Sequence, residues 1–200
     1  MAAGTLLLAC GALARELVEL QKRNQWGHIR IQCLPAELHN TPQRIPGAVD
    51  EALEKYKPEY EHIFVAYADC GTGGLLDQVL ERHDVQRIPG AHCYQFFAGA
   101  AVFDAFSDEE PGTFYLTDFL ARHFDRLVVK SLGLDRHPEL KEQFFGNYKR
   151  LVYLAQTKSE TLSKDARSHA EFLGLEYIEH YTGLEPVESV LREQEIRWQN

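Results

Sequence analysis

Apolar runs alternate with helical patterns along most of the chain. Thr5–Cys10 (TLLLAC) is an unbroken apolar run, the pattern of a strand covered on both faces. Leu13, Leu17 and Leu20 then recur at helical spacing. Ile29–Cys33 alternates as a strand, and Pro35 ends it. Pro46 opens a helix whose inner face is Val49, Ala52, Leu53 and Tyr56. Ile63–Ala68 reads as another buried strand, followed by a helix carrying Leu75, Leu76, Val79 and Leu80. Val85–Ile88 is a short strand cut off by Pro89-Gly90.

The middle has a different texture. Cys93–Phe106 is aromatic-rich with helical period at Phe96, Phe97, Ala100 and Phe103, and Ser107–Gly112 is an acidic loop. Thr117 is placed to cap a helix toward Val129, Gly133 to close it, and Pro138 to start a short helix ending near Gly146. Strand and helix patterns then return: Leu151–Ala155, a helix opened by a Thr157/Glu160 capping box and closed by Gly174, Leu175–His180, and a terminal helix over Pro186–Glu195. Strands alternating with helices predict an α/β fold: a doubly wound, mostly parallel sheet of about six strands with helices on both faces. On this reading residues 1–200 form a single α/β domain, with a central helical segment at about 93–146 between two strand-helix-strand ends.

Composition narrows the partners. The chain has 200 residues, 44% of them hydrophobic and 26% charged, so a core can form without covalent staples. The net charge of −9 argues against nucleic acid, which needs a basic face. No stretch reaches the ~20 apolar residues of a membrane span. Leu6-Leu7-Leu8-Ala9-Cys10 has the end of a lipoprotein leader but no preceding Lys or Arg, and an amphipathic pattern follows it. The expectation is a cytoplasmic protein whose four cysteines serve metal ligation, thiol chemistry or plain burial, and not disulfides.

The cysteines share a position rather than a local motif. Cys10 ends the first predicted strand, Cys33 ends the second, Cys70 lies just past the third, and Cys93 follows the fourth. In a parallel sheet these points fall along one edge, where such folds bind ligands. Four thiolates suit tetrahedral zinc or an iron–sulfur cluster, and His92 beside Cys93 is a further ligand or proton carrier. Taken one at a time, each cysteine is equally a small buried hydrophobe.

The turn Asp69-Cys70-Gly71-Thr72-Gly73-Gly74 joins a strand to a helix. Its glycines could turn backbone N–H groups toward a small anionic ligand, with Asp69 orienting the ligand or capping the helix. The alternative is a tight structural turn. His39, in the polar loop after Cys33, lies on the same predicted edge.

Several of these segments together resemble a known family. They are Ala9-Cys10-Gly11-Ala12-Leu13, Cys33-Leu34-Pro35 with His39-Asn40, the Asp69–Gly74 turn, Pro89-Gly90-Ala91-His92-Cys93-Tyr94, and Phe145-Gly146-Asn147-Tyr148. The chain is similar over nearly its whole length to the bacterial and archaeal domain-of-unknown-function family 1638. The resemblance implies no established activity. Members are often encoded beside corrinoid-dependent methyltransferases, which implies a role in one-carbon transfer with a corrinoid protein or methyltransferase as partner. The corrinoid-binding pattern Asp-x-His-x-x-Gly is absent here.

Three readings of function follow. In the first, Cys10, Cys33, Cys70 and Cys93, with His92, hold zinc or an iron–sulfur cluster, and Asp69, Gly71, Thr72, Gly73, Gly74 and His39 hold a ligand beside it. In the second, Cys70 or Cys93 is the nucleophile of a metal-free thiol enzyme, with His92 as base. In the third, the chain is a non-catalytic accessory protein of a methyltransferase.

Overall fold

The computed structural model describes residues 4–199, with side chains through residue 194. The fold is α/β with parallel strands, and the strands form two sheets. The chain divides into two compact units, Met1–Phe96 with Val187–Asn200, and Phe97–Pro186. Among the described residues no helix is long and apolar enough to cross a membrane.

The first unit holds a four-stranded sheet built from β1 (Thr5–Cys10), β2 (Ile29–Leu34), β3 (His62–Ala66) and β4 (Gln86–Arg87). The spatial order is β2-β1-β3-β4, and every pair is parallel. The unbroken apolar run of β1 puts it at the centre, where all six of its residues are buried. Helices α1 (Ala14–Arg23), α2 (Ile45–Tyr56) and α3 (Leu75–His83) make the crossovers. The chain steps from β1 to one side, then crosses β1 to reach β3 on the other. Crossovers of one hand therefore put α1 on one face and α2 and α3 on the other. The carboxyl ends of β1 and β3 flank the point where strand order reverses, which is the position of ligand crevices in such sheets.

The second unit holds β5 (Thr113–Thr117), β6 (Arg150–Ala155) and β7 (Glu176–Tyr181), parallel and in the order β5-β6-β7. β6 is buried throughout and central. The helix Glu160–Leu173 lays Leu162, Ala166, Ala170 and Leu173 on this sheet. Thr117 caps the five-residue helix Asp118–Arg122, accepting from the Leu120 N–H. That helix gives way to a π-helical turn at Asp125–Lys130, and Gly133 ends the segment in the left-handed region.

Two local expectations change. The strand Thr113–Thr117 lies inside the stretch read as helical, and its pairing with β6 makes the second sheet. The cap of the Glu160–Leu173 helix is Ser159, whose Oγ accepts from the Leu162 N–H. Thr157 is drawn away instead, donating to Asp118 Oδ2 at 2.5 Å.

That contact belongs to a buried polar knot at the carboxyl ends of β5 and β6. Asp118 is fully buried, and it also accepts from the Tyr153 hydroxyl at 2.6 Å and the Gln156 N–H at 3.0 Å. Gln156 returns the contact by accepting from the Asp118 N–H at 2.8 Å. A buried charge is tolerated only when its lone pairs are met in this way. Asp118→Ala would strand the Tyr153 hydroxyl and the Gln156 N–H. It should cost about 3 kcal/mol of stability, read as a lowered midpoint of urea unfolding. A loss under about 0.5 kcal/mol would show that water takes the carboxylate's place.

Candidate functional site

The parallel register of the first sheet determines where the thiols fall. Cys33 is level with Ala9 in the β1–β2 ladder, and Cys10 is level with Leu34. Both sit at the carboxyl edge. Gly11 lets the two strand ends approach, since a Cβ there would lie 2.8 Å from the Leu34 carbonyl oxygen and 3.1 Å from the Ala36 nitrogen. β3 ends at Ala66, and Tyr67, Ala68, Asp69 and Cys70 run on past it along the same edge.

The hydrogen bonding does not stop where the strands do. The Asp69 N–H donates to the Gly90 carbonyl at 3.1 Å, and the Cys70 N–H donates to the Ala91 carbonyl at 2.8 Å. The chain beyond β3 is thus laced to the chain beyond β4. Arg87 braces the second strap through a two-pronged contact with Asp77 of α3 (2.6 and 2.9 Å) and through the Ile88 carbonyl at 2.7 Å. Cys93 follows at once, opening the short helix α4 (Cys93–Ala98).

Cys70 sits in the left-handed region at φ +51°, a conformation that costs a non-glycine residue roughly 1–2 kcal/mol. The cross-strap bonds hold it there. Its Sγ lies 3.0 Å from Cys93 Sγ. That separation is about 1 Å longer than a disulfide bond. The two sulfurs are unequal. The hydrogen bond from Cys93 lowers the Cys70 pKa, outweighing burial, while the same bond and burial raise that of Cys93. Of the two sulfurs, Cys70 is therefore the one whose thiolate form is favoured.

The other two cysteines surround this pair in charge terms. Burial pushes the Cys10 thiol up to about 11, and Cys70 and Cys33 add repulsion. Burial also raises Cys33. The Tyr67 ring is buried, and its hydroxyl faces the Cys10 thiol without a well-aligned hydrogen bond to it. Burial, then Cys10, Cys93 and Cys70, hold this phenol far above its ordinary pKa. Beside Cys93, the Tyr94 hydroxyl and His39 Nε2 are 3.5 Å apart with their rings edge to face. Partial desolvation and the nearby His92 disfavour a proton on His39.

The glycine turn is occupied by the protein itself. The Asp69 carboxylate accepts from Thr72 Oγ1 at 2.7 Å, the Gly73 N–H at 3.1 Å and the Gly74 N–H at 2.9 Å. Gly71 contributes as well, and together these bonds draw the Asp69 carboxyl down to about 2. Gly73 and Gly74 take positive φ, which lets successive N–H groups converge on one carboxylate. The donors foreseen for an anionic ligand thus close on Asp69 at the start of α3.

The structure brings Cys10, Cys33, Cys70 and Cys93 to one edge. Among the described residues, however, no group of three or more His, Cys, Asp or Glu side chains is arranged to hold a metal ion. Ligands of one zinc ion sit ~2.3 Å from it and so ~3.8 Å from each other, wider than the Cys70–Cys93 contact. The side chains in this arrangement do not fit a zinc or cluster site. Sequence reasoning passed over Tyr67, although a hydroxyl at the end of the apolar run IFVAYA was a visible signal. Nothing local marked the Arg87–Asp77 brace.

A parallel four-stranded sheet with cysteines along its carboxyl edge defines the first unit as α/β. The model of the family described as Protein of unknown function (DUF1638) matches residues 33–191, and the chain belongs to that family. No curated protein and no solved structure matches it.

The Asp69 contacts carry a pH signature. A carboxyl at about 2 in the folded chain, against an ordinary 3.8, adds stability above pH 4. That contribution is lost as pH falls from 3.8 through 2. Asp69→Ala should flatten this acid limb when urea midpoints are compared from pH 5 downward. Parallel limbs in the two proteins would show that the carboxylate does not hold the turn.

Proposed function

We propose that the carboxyl edge of the first sheet is a thiol site, with Cys70 as nucleophile and Cys93 as its partner thiol, acting in thiol–disulfide exchange. The 3.0 Å contact between their sulfurs carries this reading, and the opposite directions of their pKa shifts favour Cys70 as the nucleophile. A thiolate is the nucleophilic form of cysteine, and a second thiol within bonding reach lets the pair pass two electrons. The Cys70 thiolate attacks a substrate disulfide RSSR, forming a Cys70–SR mixed disulfide and releasing RS⁻, which takes a proton from water. Cys93 then loses its proton and attacks Cys70 Sγ, releasing the second RS⁻, which takes up that proton. The substrate disulfide is reduced to two thiols and the protein pair is oxidised to a disulfide. A dithiol reductant would return it.

A second reading has one observation in its favour, the mutual electrostatic influence of all four thiols. In it, Cys10, Cys33, Cys70 and Cys93, with His92, close around zinc or an iron–sulfur cluster after the side chains rearrange. The corrinoid-linked role implied by the family resemblance would use the same Cys70 thiolate, as the acceptor or donor of a methyl group opposite a corrinoid protein.

One experiment separates these readings. Protein purified without oxygen is analysed for zinc, iron and acid-labile sulfide, then titrated with hydroxyethyl disulfide and mapped by peptide mass spectrometry. The thiol reading expects a Cys70–Cys93 disulfide after one equivalent, and little bound metal. About one metal site per chain, lost in each of Cys10→Ser, Cys33→Ser, Cys70→Ser and Cys93→Ser, would replace it with the metal reading. Metal-free protein that forms no such disulfide would overturn both.

A further inference from the structure

Away from the thiols, a groove runs along the free edge of the first sheet. β4 is the last strand in the order β2-β1-β3-β4, so one side of Gln86–Arg87 has no strand beside it. The groove has two lobes, of about 590 and about 620 Å³, which share Asp84, Val85, Gln86 and Gln194. Gln194 belongs to the helix Glu185–Gln199. It is 7% exposed, and among the described residues its side-chain amide has no hydrogen-bond partner. Burying an amide unpaired is costly, and a leucine would fill the same place without that penalty. Because Gln194 lines both lobes, its amide faces the groove and not the closed core.

The chemistry of the first lobe selects a ligand class. Leu80, Val85 and Val190 give it an apolar wall, and Glu81, Asp84 and Glu193 bring carboxylates. None of these three carboxylates has an ion pair among the described residues. Arg87, which also lines the lobe, is engaged by Asp77 at 2.6 and 2.9 Å. In the second lobe Glu61 lies beside the shared Asp84, and Lys57 is committed to the His83 carbonyl. A bare metal ion does not suit this arrangement, because among the described residues no three His, Cys, Asp or Glu side chains converge on one point. An aliphatic chain with ammonium groups along it suits it well: methylenes lie on the apolar wall while the charged groups meet carboxylates one at a time. A primary ammonium brings three donors and no acceptor, and the Gln194 carbonyl oxygen can take one of them. We propose that this groove binds a linear aliphatic polyamine of the spermidine type, its ammonium groups on Asp84, Glu193 and the Gln194 amide oxygen and its methylenes along Leu80, Val85 and Val190. The thiol chemistry plays no part in it.

Isothermal titration calorimetry of the full chain with spermidine, at low and at physiological salt, tests this. One saturable site is expected, weaker at the higher salt because the carboxylates are exposed. Gln194→Leu should weaken binding about tenfold or more, as loss of a bond to a charged group predicts. Its melting temperature without spermidine should hold or rise, because the amide removed has no resting partner. Glu193→Gln should weaken binding a few-fold, and so should Asp84→Asn, which keeps a residue suited to the left-handed conformation at φ +51°. Glu54→Gln, exposed on α2 and outside the groove, should stay within about twofold of wild type. Magnesium at equal ionic strength should displace little spermidine. Full displacement by magnesium, or a loss in Glu54→Gln as large as in Glu193→Gln, would reduce the binding to counterion attraction and overturn the site. So would a wild type with no saturable response, or a Gln194→Leu protein that melts lower or binds as wild type does. A lysine-bearing peptide that binds more tightly than spermidine would give the groove to a protein partner and overturn the polyamine assignment.

Discussion

The site depends on one constraint of topology, the reversal of strand order on either side of β1. Parallel strands deliver all their carboxyl ends to one edge, and the reversal parts the chain there. The hydrogen bonds from Asp69 and Cys70 to Gly90 and Ala91 then carry the pairing past the last regular residues of β3 and β4. Two cysteines 23 residues apart meet because these two straps are laced together. The Arg87–Asp77 brace and the left-handed turn at Cys70 are further results of holding those straps in register.

Within this frame, environment makes four identical side chains different. Burial alone would keep all four thiols protonated, as it does Cys10 and Cys33. Cys70 departs from the trend because Cys93 donates to it. On the proposed reading, the asymmetry gives the pair a direction, with one sulfur ready to attack and the other held back until the first has reacted. Asp69 acts on the neighbouring turn, closing Gly73 and Gly74 around its own carboxylate and fixing the start of α3.

Much of this was legible in the sequence because it follows from period and direction. TLLLAC and IFVAYA are too continuously apolar to be anything but covered strands, and cysteines at strand ends in a parallel sheet share an edge whatever the strand order. What could not be read depends on contacts between distant segments. Thr113–Thr117 is short and follows an acidic loop, and only its pairing with β6 makes it a strand. The division into two sheets follows from that pairing. Thr157 looked like a helix cap, but the buried Asp118 carboxylate claims its hydroxyl and leaves the cap to Ser159. The glycine turn invited a ligand, yet an aspartate two to five residues away in sequence fills it first, a competition that composition does not reveal.

The central claim is that Cys93 makes Cys70 the thiolate. Its most direct test is the pKa of Cys70 in the reduced protein, taken from the pH dependence of its alkylation rate, in wild type and in Cys93→Ala. The account predicts a wild-type value below the ordinary free thiol, near 8.5, and a rise in the variant once the donor is gone and only burial acts on Cys70. The same value in both proteins, or a wild-type value above the free thiol, would contradict it.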